Sequence, residues 1–228
     1  MTNNSPNNGE EITINKLEVN QISESDEFIN YKIILVGDSG VGKSSILKRA
    51  VQRKFTDNYQ ATIGFEFLLL YYEINGIKIK LQIWDTCGQE MYRSLIQGFY
   101  RNTSLVLLLY AVNDQKSFDN LYEWLKDIKN NTENELPIFL IGNKSDLNDE
   151  LKMVNKETGN EFFEQNSLKY FNEASAKTGY NVDETFNEVA KYLYKENYLL
   201  GKNQVKKLKM GLDQNEGNEQ NVQKKKCC

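Results

Sequence analysis

From Gly37 to Ser44 the chain reads Gly-Asp-Ser-Gly-Val-Gly-Lys-Ser, the spacing G-x-x-x-x-G-K-[ST]. These residue types at this spacing make a phosphate cradle. Backbone N–H groups of Ser39, Gly40, Val41 and Gly42 can converge on an anion. Gly37 and Gly42 admit backbone angles and close approaches that a Cβ would block. Lys43 brings a positive charge to the terminal phosphates, and the Ser44 hydroxyl can ligate Mg²⁺. Such a loop has to sit between a strand and a helix. Tyr31–Val36 ahead of it is a short apolar run suited to a buried strand. Ser45–Val51 behind it reads as a helix whose N-terminus faces the anion.

A phosphate loop alone leaves the base open. Asn143-Lys144-Ser145-Asp146 directly follows the apolar run Ile138–Gly142. The Asp146 carboxylate can accept both donors on the guanine edge, where adenine presents a bare acceptor. A mispaired buried carboxylate costs about 1–3 kcal/mol or more. The apolar stem of Lys144 can lie over the base. In Trp84-Asp85-Thr86-Cys87-Gly88-Gln89, Asp85 stands at a strand end across from the phosphate loop, where a partner of Mg²⁺ is expected. Gly88 can offer an unobstructed N–H to a terminal phosphate. Gln89 can both donate and accept, which suits it to orient an attacking water. Thr62, on the loop between the first helix and the second strand, has a hydroxyl for Mg²⁺; on its own it reads as a strand-leading Thr. Glu173-Ala174-Ser175-Ala176-Lys177 follows the last strand, and its small residues let the Ala176 N–H approach the guanine carbonyl. Ser175 also fits a helix cap, and the two roles are compatible.

The elements that must position these groups form an α/β pattern. Gly64–Ile74 and Ile77–Trp84 are β-rich and flank Asn75-Gly76, a strong hairpin signal. Ser104–Val112, Pro137–Gly142 and Lys169–Glu173 complete six strands with Tyr31–Val36. Phe118, Leu121, Leu125 and Ile128 recur at helical spacing, as do Phe186, Val189 and Leu193. Strands alternating with helices after one hairpin imply a mostly parallel six-stranded sheet with one antiparallel strand and helices on both faces. Ligands of such sheets bind at the carboxyl ends of the strands.

Composition limits the rest. The 228 residues suffice for one domain and tails, and a net charge of −4 argues against a nucleic-acid binder. No histidine is present, which excludes Ser-His-Asp and Cys-His catalysis and His-ligated metal. The three cysteines, Cys87, Cys227 and Cys228, do not form a disulfide framework, which favours a reducing compartment. Neither a signal-peptide core nor an apolar run long enough for a bilayer is evident. Residues 1–30 hold six acidic residues and one Lys, and residues 201–228 hold seven Lys and three acidic residues. Residues 1–29 are therefore expected to be a largely disordered polar extension, with a solvated tail favoured over a short element around Ile12–Val19. The domain is expected over 30–200 and a flexible tail over 201–228.

Taken in order, these elements resemble the Ras superfamily of small GTPases, and within it the Rab branch. Ile63–Phe67, Lys80–Thr86, Tyr92–Leu95, Phe99–Arg101 and Leu107–Phe118 are similar to Rab segments, and the likeness covers about 31–200. The family more often has Asp at Glu66, Ala at Cys87 and Arg at Met91. The resemblance implies that Phe55 stacks near guanine and that Ser45 touches the α-phosphate. It implies a GTP/GDP switch with Mg²⁺ that recruits effectors through Ile63–Phe67, Trp84 and Tyr92–Arg101. Lys224-Lys225-Lys226-Cys227-Cys228 resembles the Rab signal for geranylgeranylation of Cys227 and Cys228. Two lipids anchor stably where one does not, and the lysines add attraction to anionic lipid. The expected partners are an exchange factor, a GTPase-activating protein, a GDP-dissociation inhibitor, geranylgeranyl transferase with its escort protein, and effectors. The expected location is the cytoplasmic face of intracellular membranes, exchanging with cytosol, and the expected state is monomeric. With no Arg in the phosphate loop, intrinsic hydrolysis is expected to be slow and to rise about 10³–10⁵-fold when a partner supplies one. A non-hydrolysing scaffold, or a Ras-like switch outside membrane traffic, fits part of the same pattern.

Overall fold

A computed structural model describes residues 12–56, 65–86, 97–132 and 135–199. Its strands are β1 (Ile14–Leu17), β2 (Ile29–Val36), β3 (Phe65–Ile74), β4 (Ile77–Thr86), β5 (Leu105–Ala111), β6 (Ile138–Asn143) and β7 (Tyr170–Glu173). Its helices are α1 (Lys43–Gln52), α2 (Gln115–Asp119), α3 (Leu121–Asn130), α4 (Lys156–Gln165) and α5 (Val182–Leu193). By compactness the chain divides into residues 1–190 and 191–228. The second unit holds the end of α5 and a π-helical stretch, Tyr194–Leu199.

The sheet runs β1-β3-β4-β2-β5-β6-β7, with β2, β4, β5, β6 and β7 mutually parallel through their neighbours. Every residue of β5 is buried, as an unbroken apolar run between two helical layers requires. On one face Leu121, Trp124, Leu125 and Ile128 of α3 pack with Val106, Leu108 and Tyr110 of β5. Each fully buried aliphatic side chain stabilises by about 1.5–3 kcal/mol. Ile46, Leu47 and Ala50 are the buried stripe of α1, which packs on β3 and β4. The hairpin of β3 and β4 turns at Asn75 (φ 48°) and Gly76 (φ 78°), the two left-handed residues that a two-residue turn of this twist needs.

One expectation is corrected. The sheet has seven strands rather than six, because residues 14–17, read from composition as part of a solvated tail, form β1. β1 pairs antiparallel with β3, from Ile14 opposite Ile74 to Leu17 opposite Tyr71. Thr13 N–H donates to Asn75 Oδ1 at 2.9 Å, and Asn75 N–H returns to the Thr13 carbonyl at 3.1 Å. Four residues carry too little local signal, and the ladder offered by the β3 edge decides the conformation. The connection to β2 is also built in. Asp26 pairs with Lys78 at 2.6 Å, and the Phe28 ring meets Tyr71 edge-on with centroids 5.3 Å apart.

Candidate functional site

The parallel strands β2, β4 and β6 deliver their carboxyl ends to one side, where Gly37–Ser44, Asp85 and Asn143–Asp146 follow them. After β2 the chain turns at Gly37 (φ 137°), where a Cβ would stand 2.2 Å from the Leu109 carbonyl oxygen of β5. Gly42 (φ 96°) caps α1, and a Cβ there would meet Asn143 Nδ2 at 2.2 Å. Both glycines are thus required by close approach as well as by backbone angle. Lys43 is 5% exposed, and its ammonium donates to the carbonyls of Gly37 and Asp38 at 2.8 Å each. It closes the loop on itself with its charge inside the ring. Ser39 and Gly40 are exposed at the rim, whereas Val41 is buried, and Ser45 is half-buried on the first turn of α1.

Ser44 Oγ donates to Asp85 Oδ2 across the gap between α1 and β4. Asp85 is 1% exposed, and its Oδ1 is buried with no hydrogen-bond partner among the described residues. Burial pushes the Asp85 carboxyl above its ordinary value, against the Ser44 hydrogen bond and the Lys43 charge. A buried carboxylate oxygen left unsatisfied next to a serine hydroxyl is the donor set that suits a hard cation. Thr86 Oγ1 ties the end of β4 to the Leu35 carbonyl at 2.6 Å.

The elements expected to read the base meet at Asn143, 2% exposed at the end of β6. Its Nδ2 donates to the Val41 carbonyl at 2.8 Å, and its Oδ1 accepts the Ala176 N–H at 3.2 Å. One side chain therefore joins the phosphate loop to the loop after β7. Ser175 stands at a turn, with the next helix starting only at Val182, so it caps no helix. Its hydroxyl donates to Asp146 Oδ1 at 2.5 Å and accepts the Thr178 N–H at 3.1 Å. Asp146 is thus oriented by a neighbour before any base arrives. Lys144 sits at φ 69°, and burial pulls its ammonium below the usual lysine range against Asp114 and Asp146. Lys177 is placed by the same loop. Phe55 is half-buried, three residues beyond the far end of α1. Thr62, Gly88, Gln89, Cys227 and Cys228 lie outside the described residues, as do Cys87 and Met91.

Two supports are not apparent in the motif pattern. Asp38, a variable position of the phosphate loop, accepts Asn120 Nδ2 at 2.6 Å and Trp124 Nε1 at 2.8 Å. The loop is thereby pinned to α3. Arg49, in the last turn of α1, donates to the carbonyls of Ala176 at 2.7 Å and Lys177 at 2.5 Å. In sequence Arg49 reads only as a cation suited to a helix C-terminus. Beside the site, Phe67, 51% exposed, stacks on Trp84 at 5.3 Å, and Trp84 meets Phe99 at 5.4 Å. Lys32 Nζ lies 5.6 Å over the Trp84 ring and donates to the Phe99 carbonyl at 2.6 Å.

At the mouth of the parallel sheet, the loop after β2 and the loop after β7 are thus fastened to each other through Asn143. A model of the Ras family matches residues 32–195. Ras-related protein Rab-13 of Mesocricetus auratus is 39% identical over 161 residues, covering 71% of this chain and 78% of its own. GTP-binding protein ypt2 of Schizosaccharomyces pombe is 42% identical over 165 residues, covering 72% of this chain and 82% of its own. Ras-related protein SEC4 of Saccharomyces cerevisiae is 36% identical over 200 residues, covering 86% of this chain and 90% of its own. The chain belongs to the Ras family of small GTPases, in its Rab branch. It binds guanine nucleotide as that family does, and the α/β fold expected from its sequence is the one observed. Among the described residues no helix is long and apolar enough to cross a membrane.

Proposed function

We propose that this chain is a GTP/GDP switch of vesicle traffic whose nucleotide spans the seam bridged by Asn143. The observation that carries this is the double hydrogen bond of Asn143 to Val41 and Ala176, which makes one pocket of two loops. Ser39–Ser44 receive the phosphates, Lys43 neutralises the terminal ones, and Ser45 meets the α-phosphate. Asp146 and Lys144 read the base together with Ser175, Ala176 and Lys177, and Phe55 flanks it. Ser44, Asp85 and Thr62 are the residues that would hold Mg²⁺; the unpartnered Asp85 Oδ1 supports that fit. When bound, Mg²⁺ neutralises charge that develops on the transferring phosphoryl group.

In this reading Gln89 orients the attacking water, and Gly88 donates its N–H to the γ-phosphate. Thr62 and Gly88 are the two points where loss of that phosphate is felt, so the flanking loops relax after hydrolysis. Phe67 is an exposed aromatic stacked on the partly buried Trp84 and Phe99, and it suits effectors that tell the two states apart. An exchange factor, a GTPase-activating protein and a GDP-dissociation inhibitor act on this cycle. Geranylgeranyl transferase with its escort protein modifies Cys227 and Cys228, which holds the chain at the cytoplasmic face of a membrane.

Single-turnover GTP hydrolysis with an activating protein tests this assignment. Wild type is expected to accelerate by about 10³–10⁵-fold, and Gln89→Leu is expected to lose most of that acceleration. Equal rates for the two proteins would remove Gln89 from the mechanism.

A further inference from the structure

The helix that opens with Lys43 and Ser44 closes with a cluster of basic side chains. Lys16 reaches it from β1. Its Nζ donates to the Ala50 carbonyl at 2.6 Å and pairs with Asp183 Oδ1 at 3.1 Å. Asp183 lies in the first turn of α5, the helix that follows the guanine loop, and its other oxygen takes Arg53 just past α1. Burial works to raise the Asp183 carboxyl, but the hydrogen bonds from Arg53 and Lys16 win and hold it below its ordinary value. The Ala50 carbonyl is in the last turn of α1, where carbonyls lack intrahelical partners and a cation is favoured. Arg49 in the same turn holds the carbonyls of Ala176 and Lys177.

We propose that Lys16 is a positioning residue for the nucleotide: from the N-terminal strand it fastens the end of α1 to the start of α5, and so sets how long GDP stays bound. This rests on the reading of Asn143–Asp146 and Ala174–Lys177 as the guanine site. The phosphate loop rides on the front of α1 and the guanine loop leads into α5. A nucleotide gripped by both leaves when they part. Lys16 resists that parting from the side away from the phosphates. Its own hold is conditional, because β1 is four residues long and pairs with one neighbour, the kind of element that opens well before a domain unfolds. Anything that lifts β1 off the β3 edge therefore removes a brace from the nucleotide site without touching the nucleotide.

The full chain, loaded with fluorescent GDP and chased with unlabelled GDP, tests this. Lys16→Met keeps the apolar stem and removes the charge and donors. It is expected to release GDP about three- to tenfold faster, the range for losing one charged contact at a partly exposed helix end. Lys16→Arg, which restores a cation and donors, is expected to return release to within about twofold of wild type. Chelating Mg²⁺ should speed release by the same factor in all three proteins, because the phosphate side is untouched. Unchanged release in Lys16→Met overturns the proposal. So does release that Lys16→Arg fails to restore, or a lower melting midpoint of nucleotide-free Lys16→Met with normal release. If wild type itself retained no guanine nucleotide, the reading of the site would fall first and the role of Lys16 with it.

Discussion

Replacing Asn143 with Ala removes a donor and an acceptor that serve two otherwise buried backbone groups. The Val41 carbonyl belongs to a residue 0% exposed, and the Ala176 N–H to one 3% exposed. Their bonds to Asn143 are 2.8 and 3.2 Å long. Each buried group left unsatisfied costs about 1–3 kcal/mol. The 3.2 Å bond belongs at the lower end of that range, so about 2–4 kcal/mol is the expected total. Both groups line the seam between the loops, so the loss is charged against the conformation that holds nucleotide. At about 1.4 kcal/mol per tenfold, GDP affinity should fall roughly thirty- to a thousandfold. Titration with fluorescent GDP measures this. Urea unfolding of the nucleotide-free protein gives the part of the loss that falls on the fold alone. Affinity within about threefold of wild type, about 0.7 kcal/mol on the same scale, would show that Asn143 does not join the two loops in the bound state.

Three further outcomes follow from the same contacts. Gly37→Ala and Gly40→Ala lie in one loop but should differ: at Gly37 a Cβ collides with the Leu109 carbonyl at 2.2 Å, whereas at Gly40 (φ 79°) nothing lies within 4 Å. Urea unfolding should therefore show about 1–2 kcal/mol lost at Gly40 and a larger loss, or no folded protein, at Gly37; equal losses would refute the collision. Asp38→Ala removes the carboxylate that accepts the Trp124 indole N–H and Asn120 Nδ2, and should cost about 1–3 kcal/mol by denaturant unfolding; a neutral result would mean that the loop is not pinned to α3. For Asp85, burial raises the folded carboxyl above the ordinary aspartate value of 3.8, so the folded chain holds this proton more tightly than the unfolded one. The Asp85 contribution then falls as pH rises from that value through the raised one. Nucleotide-free Asp85→Asn, which cannot ionise, should gain on wild type across that interval, and a pH-independent difference between their unfolding curves would contradict it.

Much of the site is legible because phosphate and guanine chemistry demand particular residues at short spacing. Gly37, Gly42 and Lys43 announce a loop, and the structure adds only what each glycine avoids. Asn143 and Ala176 are legible as types, but their mutual bond is a matter of tertiary geometry. Asp38 and Arg49 escape a reading of motifs because their partners, Asn120, Trp124 and the carbonyls of Ala176 and Lys177, are remote in sequence and one pair is backbone. β1 escapes for a different reason. Its four residues sit among acidic and amide side chains whose composition argues for solvent, and only the partner strand supplies a reason to be extended.

These supports make recognition of the base and of the phosphates hard to separate. Asn143 acts on Val41 in one loop and Ala176 in the other, while Arg49 extends the phosphate helix to the carbonyl side of the same Ala176. Ala176 is thus held through its N–H from the front and through its carbonyl from behind, by side chains from two different elements. A loop gripped at both ends of one residue has little freedom to adapt to a different base. If Asp146 reads guanine as proposed, this rigidity adds to its discrimination, because a mobile loop could move away from a mismatched edge, whereas a fixed one leaves its buried polar groups unpaired.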